Sequence, residues 1–340
     1  GNASSSSSSS SSGSVSPLSG WTRRRPVIIQ PLTEQLDNYM LLVSVTQDAQ
    51  IGMDAKLDGD DLVFTDSDGA TVLPHEMEFY NVVNGAADFV AWVRVPQIPM
   101  AGKTIYLYWG KPNIGPQQDA GKTWQDFVAV YHLQTNFNDS TINAHHGTVL
   151  APSGPSPSTE PGVIANGKRF PGGSLAEVAS SPDFDCANTP CTITAWINSS
   201  TLQTSHVVDR YVSGVPSSGW YIGTTDTMSE FGFAGDSPLF MNNPAATDAW
   251  YHVAAVVSQA VGKFYINGVL EETDTTFSGI VDATSPLYLG TGSPSTYFFH
   301  GKLDEVRIAH TTRSDAWIKA EYRNAKLPDQ FVTLGPVEMF

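Results

Sequence analysis

The chain has 340 residues, of which 41% are hydrophobic and 15% are charged, so it can bury one large core or two cores of ordinary size. The formal net charge of −16 opposes the approach of nucleic acids and anionic membranes, which leaves neutral or cationic partners and metal cations as better fits. No apolar run approaches the roughly 20 residues of a membrane-spanning helix and the first residues are not a signal peptide, so we expect a soluble piece of a longer precursor without direct membrane insertion.

Residues 1–16 are predicted to be a flexible linker. An unbroken serine run at 4–12 is followed by Gly-Ser-Val-Ser-Pro, and such a segment cannot bury apolar surface. Polyserine linkers of this kind resemble those that join catalytic and binding modules in secreted polysaccharide-degrading proteins of some marine and soil bacteria. We therefore expect an upstream module joined to the chain by this linker.

A first β-sandwich domain, of unknown function, is predicted at 17–120. Short apolar runs alternate with turn residues, which is the pattern of β-strands. The runs lie at 27–29, 40–45, 62–64, 89–95 and 104–109. Four sequence blocks, at 58–64, 73–80, 92–96 and 104–110, are similar to a bacterial domain of unknown function. That domain often precedes laminin-G-like domains, including in surface proteins fused to TolQ/ExbB-like proton channels, and it implies no established chemistry.

A second strand-rich domain is predicted at 121–340. Its blocks lie at 128–133, 137–148, 167–170, 192–197, 250–255, 263–268 and 287–290. They are followed by the acidic strand at 303–307 and by an amphipathic helix predicted at 315–324, with Ser314 as its N-cap. A further short helix is predicted at 124–127.

The order of these blocks resembles the laminin-G-like (concanavalin A-like) jelly roll. The resemblance implies an all-β chain of two β-sandwich domains, the second a jelly roll with one short C-terminal helix. Domains of this family mostly bind glycans or proteins, so the resemblance also implies a binding role.

The two cysteines favour an oxidising compartment. Cys186 and Cys191 bracket Ala-Asn-Thr-Pro, a spacing unlike the Cys-x-x-Cys pairs of zinc sites. We predict a disulfide that pins a loop, and two reduced buried thiols are the alternative. The disulfide would indicate a bacterial protein that is secreted, exposed at the cell surface or periplasmic.

Calcium is the predicted cofactor. The loop at 139–143 offers the carboxylate and amide oxygens that calcium needs. In the resembled jelly rolls this loop lies beside the acidic C-terminal strand, sometimes around structural calcium, which implies a metal site of Asp139, Asn143 and Asp304. The alternative is that Asp139 caps a turn and that Asp304 pairs with Arg307.

Glycan binding requires aromatic rings that stack on sugars and polar side chains that bond hydroxyls. Alternation on two predicted strands places Trp196 and His252 on the same face of the sheet. A packing role is favoured for them because they belong to the general jelly-roll pattern. Variable loops discriminate better. The predicted ligand-binding residues are Arg210, Trp220, Tyr221, Asn242, Tyr297 and Phe298. The three aromatics at 297–299 cannot all enter one core from an alternating strand, although a loop plug or an interdomain contact would also explain them.

Catalysis has little support in the sequence. Glu76 and Glu78 could share a strand face, as the carboxyl pair of a retaining glycosidase would. However, the Glu-x-Asp-x-x-Glu strand of related glucanases is absent, as are hydrolase elbow and P-loop motifs. We predict a non-catalytic polysaccharide-binding module. The alternatives are a structural or protein-interaction module of an extracytoplasmic surface or uptake complex and, less favoured, a glycoside hydrolase.

Overall fold

The computed structural model describes residues 18–213, 217–225, 229–233, 239–240, 245–258, 261–275, 283–292 and 294–340. Most of the regular structure in these ranges is antiparallel β-sheet, which confirms the predicted all-β class. Within the same ranges, no helix has the length and apolar character needed to cross a membrane.

The first domain begins with strands that occupy the predicted apolar runs. Its elements are β1 (Arg23–Ile29), β2 (Leu36–Asp48), α1 (Ala49–Asp54), β3 (Val63–Thr65), β4 (Val72–Leu73), β5 (His75–Val83), β6 (Ala86–Ile98), β7 (Lys103–Trp109) and α2 (Ala120–Thr123). One sheet has the order β2-β6-β5, and another contains β1-β7-β3-β4. Side chains from both sheets, such as Val27, Leu41 and Leu107, are fully buried in one core. The helix predicted at 124–127 is instead a turn that follows α2, and Asp119 is the N-cap of α2.

The second domain is a sandwich of two larger sheets. Its elements are β8 (Ala129–Tyr131), β9 (Gly147–Leu150), β10 (Ser158–Pro161), β11 (Asn166–Pro171), β12 (Leu175–Val178), a 3-10 turn (Pro182–Phe184), β13 (Cys191–Ser199), β14 (Ser205–Asp209), β15 (Trp220–Thr224), β16 (Ser229–Phe233), β17 (Leu239–Phe240), β18 (Trp250–Val257), β19 (Gly262–Ile266), β20 (Val269–Asp274), β21 (Leu287–Leu289) and β22 (His300–Ala309). An eight-stranded sheet has the order β10-β11-β22-β13-β18-β19-β20, with β8 also on β22. A seven-stranded sheet has the order β17-β16-β15-β14-β21-β12-β9. Phe170, Val207 and Ile308 are fully buried in the core of this sandwich.

The C-terminal segment returns to the first domain. Its elements are α3 (Asp315–Lys326), α4 (Pro328–Phe331), β23 (Val332–Leu334) and β24 (Glu338–Met339). Both final strands pair with β1, where Val27 lies opposite Leu334 and Arg24 opposite Glu338. They cover the backbone groups that β1 would otherwise leave unpaired at a sheet edge. The domain predicted at 121–340 therefore differs from the structure at this end, because residues 332–339 complete the sheet of the first domain.

Helix α3 packs between the two domains. The Ser314 hydroxyl accepts the backbone N–H of Trp317 at 3.1 Å, so the predicted N-cap is present. Trp196 stacks on Tyr322 of α3 at a centroid distance of 5.7 Å, and His252 lies 5.2 Å from Trp196. The packing role favoured for Trp196 and His252 is the one that the structure shows. This part of the eight-stranded sheet is consequently covered.

Candidate functional site

An open cleft of about 610 Å³ lies against the seven-stranded sheet. Its largest lining groups are four tyrosine rings and one imidazole, and we call it the tyrosine cleft. These groups belong to His206, Tyr211, Tyr221, Tyr288 and Tyr297. The other lining residues are mostly small and hydroxylated, and among those the structure describes none is Lys, Arg, Asp or Glu.

Strand alternation places two of these rings on the outer face of the sheet. On β15, Trp220 and Ile222 are buried in the core, so Tyr221 between them points outwards. On β21 the same alternation turns Tyr288 outwards, because Leu287 and Leu289 enter the core. The alternation Leu-Tyr-Leu at 287–289 is visible in the sequence, but Tyr288 was not among the predicted ligand-binding residues.

Three aromatic rings form a stacked column at one side of the cleft. The His206 imidazole lies 4.1 Å from the Tyr221 ring at an interplanar angle of 3° and 4.9 Å from the Tyr297 ring at 8°. Tyr297 is 52% exposed and has a backbone φ of 57°, a left-handed conformation that is uncommon for a tyrosine. Its carbonyl oxygen accepts the backbone N–H of His206 at 3.0 Å. Tyr297 is therefore held as an exposed platform by a strained turn and a stacked partner.

A buried carboxylate, Asp209, supports the column. Its Oδ2 lies 2.5 Å from Nδ1 of His206, and its Oδ1 accepts the backbone N–H of Tyr211 at 3.0 Å. When this carboxyl is ionised it can only accept, so Nδ1 then carries the hydrogen. Burial raises the pKa of Asp209 to about 6, although the hydrogen bond from His206 acts in the opposite direction. Residue spacing does not indicate His206 and Asp209, because a β-bulge between residues 206 and 208 interrupts the alternation.

Some of the predicted ligand-binding residues line the cleft or adjoin it. Tyr221 and Tyr297 contribute rings to the lining. Phe298 is half-buried beside Tyr297, and Phe299 is 1% exposed in the core. One of the three adjacent aromatics is thus exposed, as the alternation argument required. Asn242 lies outside the described residues.

Arg210 and Trp220 are buried, so their predicted role in ligand binding is not supported. The Arg210 guanidinium lies 2.6 Å from Asp185 Oδ1 and also donates to the Ala283 carbonyl. The indole of Trp220 donates to the carbonyl of Phe184 at 3.0 Å. Both side chains therefore anchor the segment before Cys186, whose predicted disulfide with Cys191 is present.

The geometry does not support the predicted calcium site. Asp139 accepts hydrogens from Val130 N, Thr141 N, Thr141 Oγ1 and His145 N, so both of its oxygens are used by the protein. Asn143 donates to the Val128 carbonyl. These contacts correspond to the alternative in which Asp139 organises a turn.

Asp304, the third predicted metal ligand, holds a different loop. Its Oδ2 accepts the backbone N–H groups of Val163 and Ile164, and a Cβ on Gly162 would collide with this oxygen. Burial raises the pKa of Asp304 well above its ordinary value, with added repulsion from Glu305 and Glu78. Among the described contacts, Asp304 and Asp139 have no partner in common. The acidic strand therefore closes a loop directly through backbone hydrogen bonds.

A second group of charged residues lies buried where the two domains meet. This interface ion cluster consists of Glu76, Glu78, His132, Glu305 and Arg307, whose side chains are between 2% and 14% exposed. His132 contacts all three glutamates, and Arg307 Nη2 donates to Glu305 at 2.5 Å. Glu76 is further held by the indole of Trp124 and the hydroxyl of Ser140.

A β-bulge brings Glu305 into this cluster. The register of β22 against β13 shifts between Thr194 and Trp196, and Glu305 has a φ of 48° at that point. The strand therefore departs from alternation, so Glu305 meets His132 while its neighbour Asp304 turns to another loop. The alternative to the calcium site had Arg307 pairing with Asp304, but Arg307 instead binds Glu305.

Three members of the interface ion cluster are also close enough together to be considered as metal ligands. Potential ligand atoms of Glu78, His132 and Glu305 lie within 4.8 Å of one another. However, Nδ1 of His132 is 2.8 Å from Glu305, and Nε2 is 3.1 Å from Glu76. Burial lowers the pKa of His132, but the three carboxylates outweigh it and raise the pKa well above its ordinary value. The histidine therefore acts as a cation between acids, and metal coordination would require it to lose a hydrogen bond.

Two family profiles match the sequence. A domain of unknown function (DUF2341) matches residues 58–146, and the concanavalin A-like lectin/glucanases superfamily (Laminin_G_3) matches residues 171–319. No curated protein matches the chain.

Several solved structures are similar at low identity. Domain 4 of an extracellular GH43 arabinanase, AbnA, from Geobacillus stearothermophilus, solved with arabinotriose, is 20% identical, with a TM-score of 0.47, over 57% of this chain and 97% of that domain. The binding domain of Paraclostridial Mosquitocidal Protein 1 is 15% identical, with a TM-score of 0.48, over 59% of this chain and 52% of that one. The binding domain of botulinum neurotoxin DC, solved with SialylT, is 12% identical, with a TM-score of 0.45, over the same shares. The match thus spans about half the length of the toxin domains.

The sandwich of two antiparallel sheets agrees with the superfamily match, and the disulfide and the lectin-like fold fit an extracellular protein. The chain therefore combines a segment that matches DUF2341, at 58–146, with a following jelly-roll segment that matches the concanavalin A-like lectin/glucanases superfamily, at 171–319.

Proposed function

We propose that this chain is a non-catalytic carbohydrate-binding module and that the tyrosine cleft binds a neutral polysaccharide. The observation that carries the proposal is the stacked column of Tyr221, His206 and Tyr297, whose last ring is 52% exposed. An exposed ring held rigid by a stacked neighbour is ready to receive the C–H face of a sugar without further ordering.

The remainder of the cleft supports the same ligand class. Its lining offers hydroxyl groups for sugar hydroxyls, including those of Thr204, Ser213, Ser285 and Thr296. Charged side chains are absent from the described lining, and the net charge of −16 opposes polyanions. The left-handed backbone at Tyr297 is a strained conformation of the kind that collects at binding sites.

The positions of the acidic residues favour binding without catalysis. A retaining glycosidase needs two carboxyls on an open site, about 5–5.5 Å apart. Glu76 and Glu78, the pair suggested by the sequence, are buried between the domains and bonded to His132 and two tryptophans. A glycosidic bond has no access to them there. We place the module in a secreted, cell-surface or periplasmic bacterial protein, in keeping with the disulfide.

The test is affinity gel electrophoresis in gels that contain linear arabinan, xylan, laminarin or galactomannan. We expect retardation by at least one of these neutral polysaccharides, and we expect Tyr297→Ala to weaken it about tenfold because the exposed stacking face is lost. Phe340→Ala is the matched control, since Phe340 is similarly exposed (51%) but stacks on Tyr108 of the first domain.

Equal retardation of Tyr297→Ala and the wild type would exclude the cleft as the binding site. A folded wild-type protein that none of the four polysaccharides retards would contradict the proposed function and favour a protein partner.

A further inference from the structure

Asp209 connects the walls of the tyrosine cleft from beneath. Its fully buried carboxylate accepts a hydrogen from the imidazole of His206 and another from the backbone of Tyr211. In the sheet, Asp209 lies opposite Tyr221 of β15 on one side and Tyr288 of β21 on the other. Asp209 is therefore hydrogen-bonded to, or paired across the sheet with, four of the five residues that supply rings to the cleft.

The fifth aromatic group depends on Asp209 through His206. Tyr297 lies on the loop before β22, and its ring rests parallel to the imidazole at 4.9 Å. Tyr221 covers the opposite face of the imidazole at 4.1 Å, and Gly292 approaches its Nδ1 edge so closely that a Cβ there would lie 2.5 Å from Nδ1. The hydrogen bond to Asp209 fixes the remaining rotation of the ring, and with it the surface that supports Tyr297.

We propose that Asp209 is a positioning residue for glycan binding and that its ionisation makes this binding depend on pH; the inference rests on the proposed function. When the carboxylate is ionised, its hydrogen bonds to His206 and Tyr211 are charge-assisted. Protonation removes the negative charge from the acceptor and therefore weakens both hydrogen bonds. The column and the Tyr211 wall then lose their fixed geometry, and the cleft binds more weakly.

The titratable groups that face Asp209 come from its own strand and from the two neighbouring strands. They are His206 from its own strand, Tyr221 from β15 and Tyr288 from β21, while Glu177 of β12 lies opposite Tyr288 one strand further away. Burial raises the pKa of Asp209 to about 6, even though the hydrogen bond from His206 lowers it. The carboxylate is therefore ionised at pH 7.5 and protonated at pH 5, so binding is strong at the higher pH and weak at the lower.

The test compares the wild type, Asp209→Asn and Glu177→Gln in gels of the four polysaccharides at pH 5 and pH 7.5. We expect the wild type to bind at least about threefold more tightly at pH 7.5 than at pH 5. Asp209→Asn should bind weakly and equally at both values. Glu177→Gln, which removes a charge from the same face without touching His206, should behave as the wild type does. Circular dichroism at both pH values verifies that each variant is folded.

A second readout needs no ligand. The ring protons of His206 lie between two tyrosine faces, so ring currents displace their NMR signals. In the wild type, we expect this displacement to shrink as pH falls through about 6. In Asp209→Asn, we expect the displacement not to depend on pH. A pH-sensitive NMR signal without retardation would contradict the proposed function while sustaining the role of Asp209. Retardation with the same pH profile in Asp209→Asn and the wild type would overturn the role of Asp209 and leave the proposed function intact.

Discussion

Nδ1 of His132 lies 2.8 Å from Oε1 of Glu305, a residue 173 positions away in the chain. The other nitrogen of the same ring is 3.1 Å from Glu76, which belongs to β5 of the first domain. The imidazole also stacks on Trp92 at 6.0 Å, and the guanidinium of Arg307 lies 4.0 Å from the centre of that indole. Two cations thus share one aromatic ring, and a single histidine connects the domains through buried carboxylates.

Replacing His132 with Gln should destabilise the protein by about 3–5 kcal/mol, because it leaves the buried carboxylates of Glu76 and Glu78 without the cation that contacts them. The pKa of His132 is raised by its acidic neighbours, against the effect of burial. Its stabilising contribution is therefore complete below its ordinary pKa of 6.5 and is lost as pH rises through the raised value. Urea unfolding at pH 6 and pH 9 measures both effects, and the variant should lose part of the pH dependence.

His145→Gln is the matched control for this experiment. His145 also contacts a carboxylate, Asp183, at 2.9 Å, but the Asp183 side chain is 50% exposed. Such a pair contributes at most about 1 kcal/mol. If both variants lost the same free energy of unfolding, the claim that burial makes His132 special would be wrong.

Glu76 and Glu78 should respond to replacement in opposite ways. Burial, followed by repulsion from Glu305, raises the pKa of Glu78 to about 8. A carboxyl with a raised folded pKa reduces stability as pH climbs from its ordinary pKa of 4.5 towards 8. Glu78→Gln removes that penalty, so its free energy of unfolding relative to the wild type should improve between pH 5 and pH 9.

Glu76→Gln provides the contrast on the same strand. Burial raises the pKa of Glu76, but His132 outweighs it and lowers the pKa below its ordinary value. The stabilising contribution of Glu76 is therefore present above its ordinary pKa of 4.5 and is lost as pH falls through the lowered value, so the glutamine variant should be less stable than the wild type at neutral pH. Unfolding curves in which both variants shift in the same direction with pH would contradict these assignments.

Apolar periodicity and a capping serine were sufficient to predict most strands of the first domain and helix α3, because these signals are local. The interface ion cluster could not be predicted in this way, since Glu76, His132 and Glu305 are brought together only by domain packing and by a β-bulge in β22. The pair Glu76 and Glu78 had the spacing of a catalytic site, but only the fold shows that they are buried. Loop position likewise indicated Tyr221 and Tyr297, whereas the supporting role of Asp209 depends on the register of three strands.

Replacing Cys186 and Cys191 with Ser should have a modest effect. The sequence separation in the disulfide is only 5 residues, and closing so short a loop contributes about 2 kcal/mol by chain entropy. Arg210 and Trp220 still hold the segment before Cys186 through Asp185 and Phe184. We expect the melting temperature to fall by about 4 °C with the fold retained. A loss of cooperative unfolding would show that the disulfide does more than close the loop.

Asn324 on α3 should be a critical contact between the helix and the first domain. Its Oδ1 accepts the backbone N–H of Leu42 at 2.8 Å, and its Nδ2 donates to the carbonyl of the same residue at 3.1 Å. The side chain is 1% exposed and completes both backbone groups of Leu42, which β6 does not satisfy at that position. Asn324→Ala leaves two buried backbone groups unpaired and should therefore cost about 2–4 kcal/mol in the free energy of unfolding.

Gln330→Ala, which removes an exposed amide on the following helix, is the control and should change the free energy of unfolding by less than about 0.5 kcal/mol. Hydrogen exchange of the Leu42 amide under native conditions separates a local from a global effect. If Asn324→Ala removes the protection of this amide, the Asn324 side chain, rather than the neighbouring strand, is its hydrogen-bond partner.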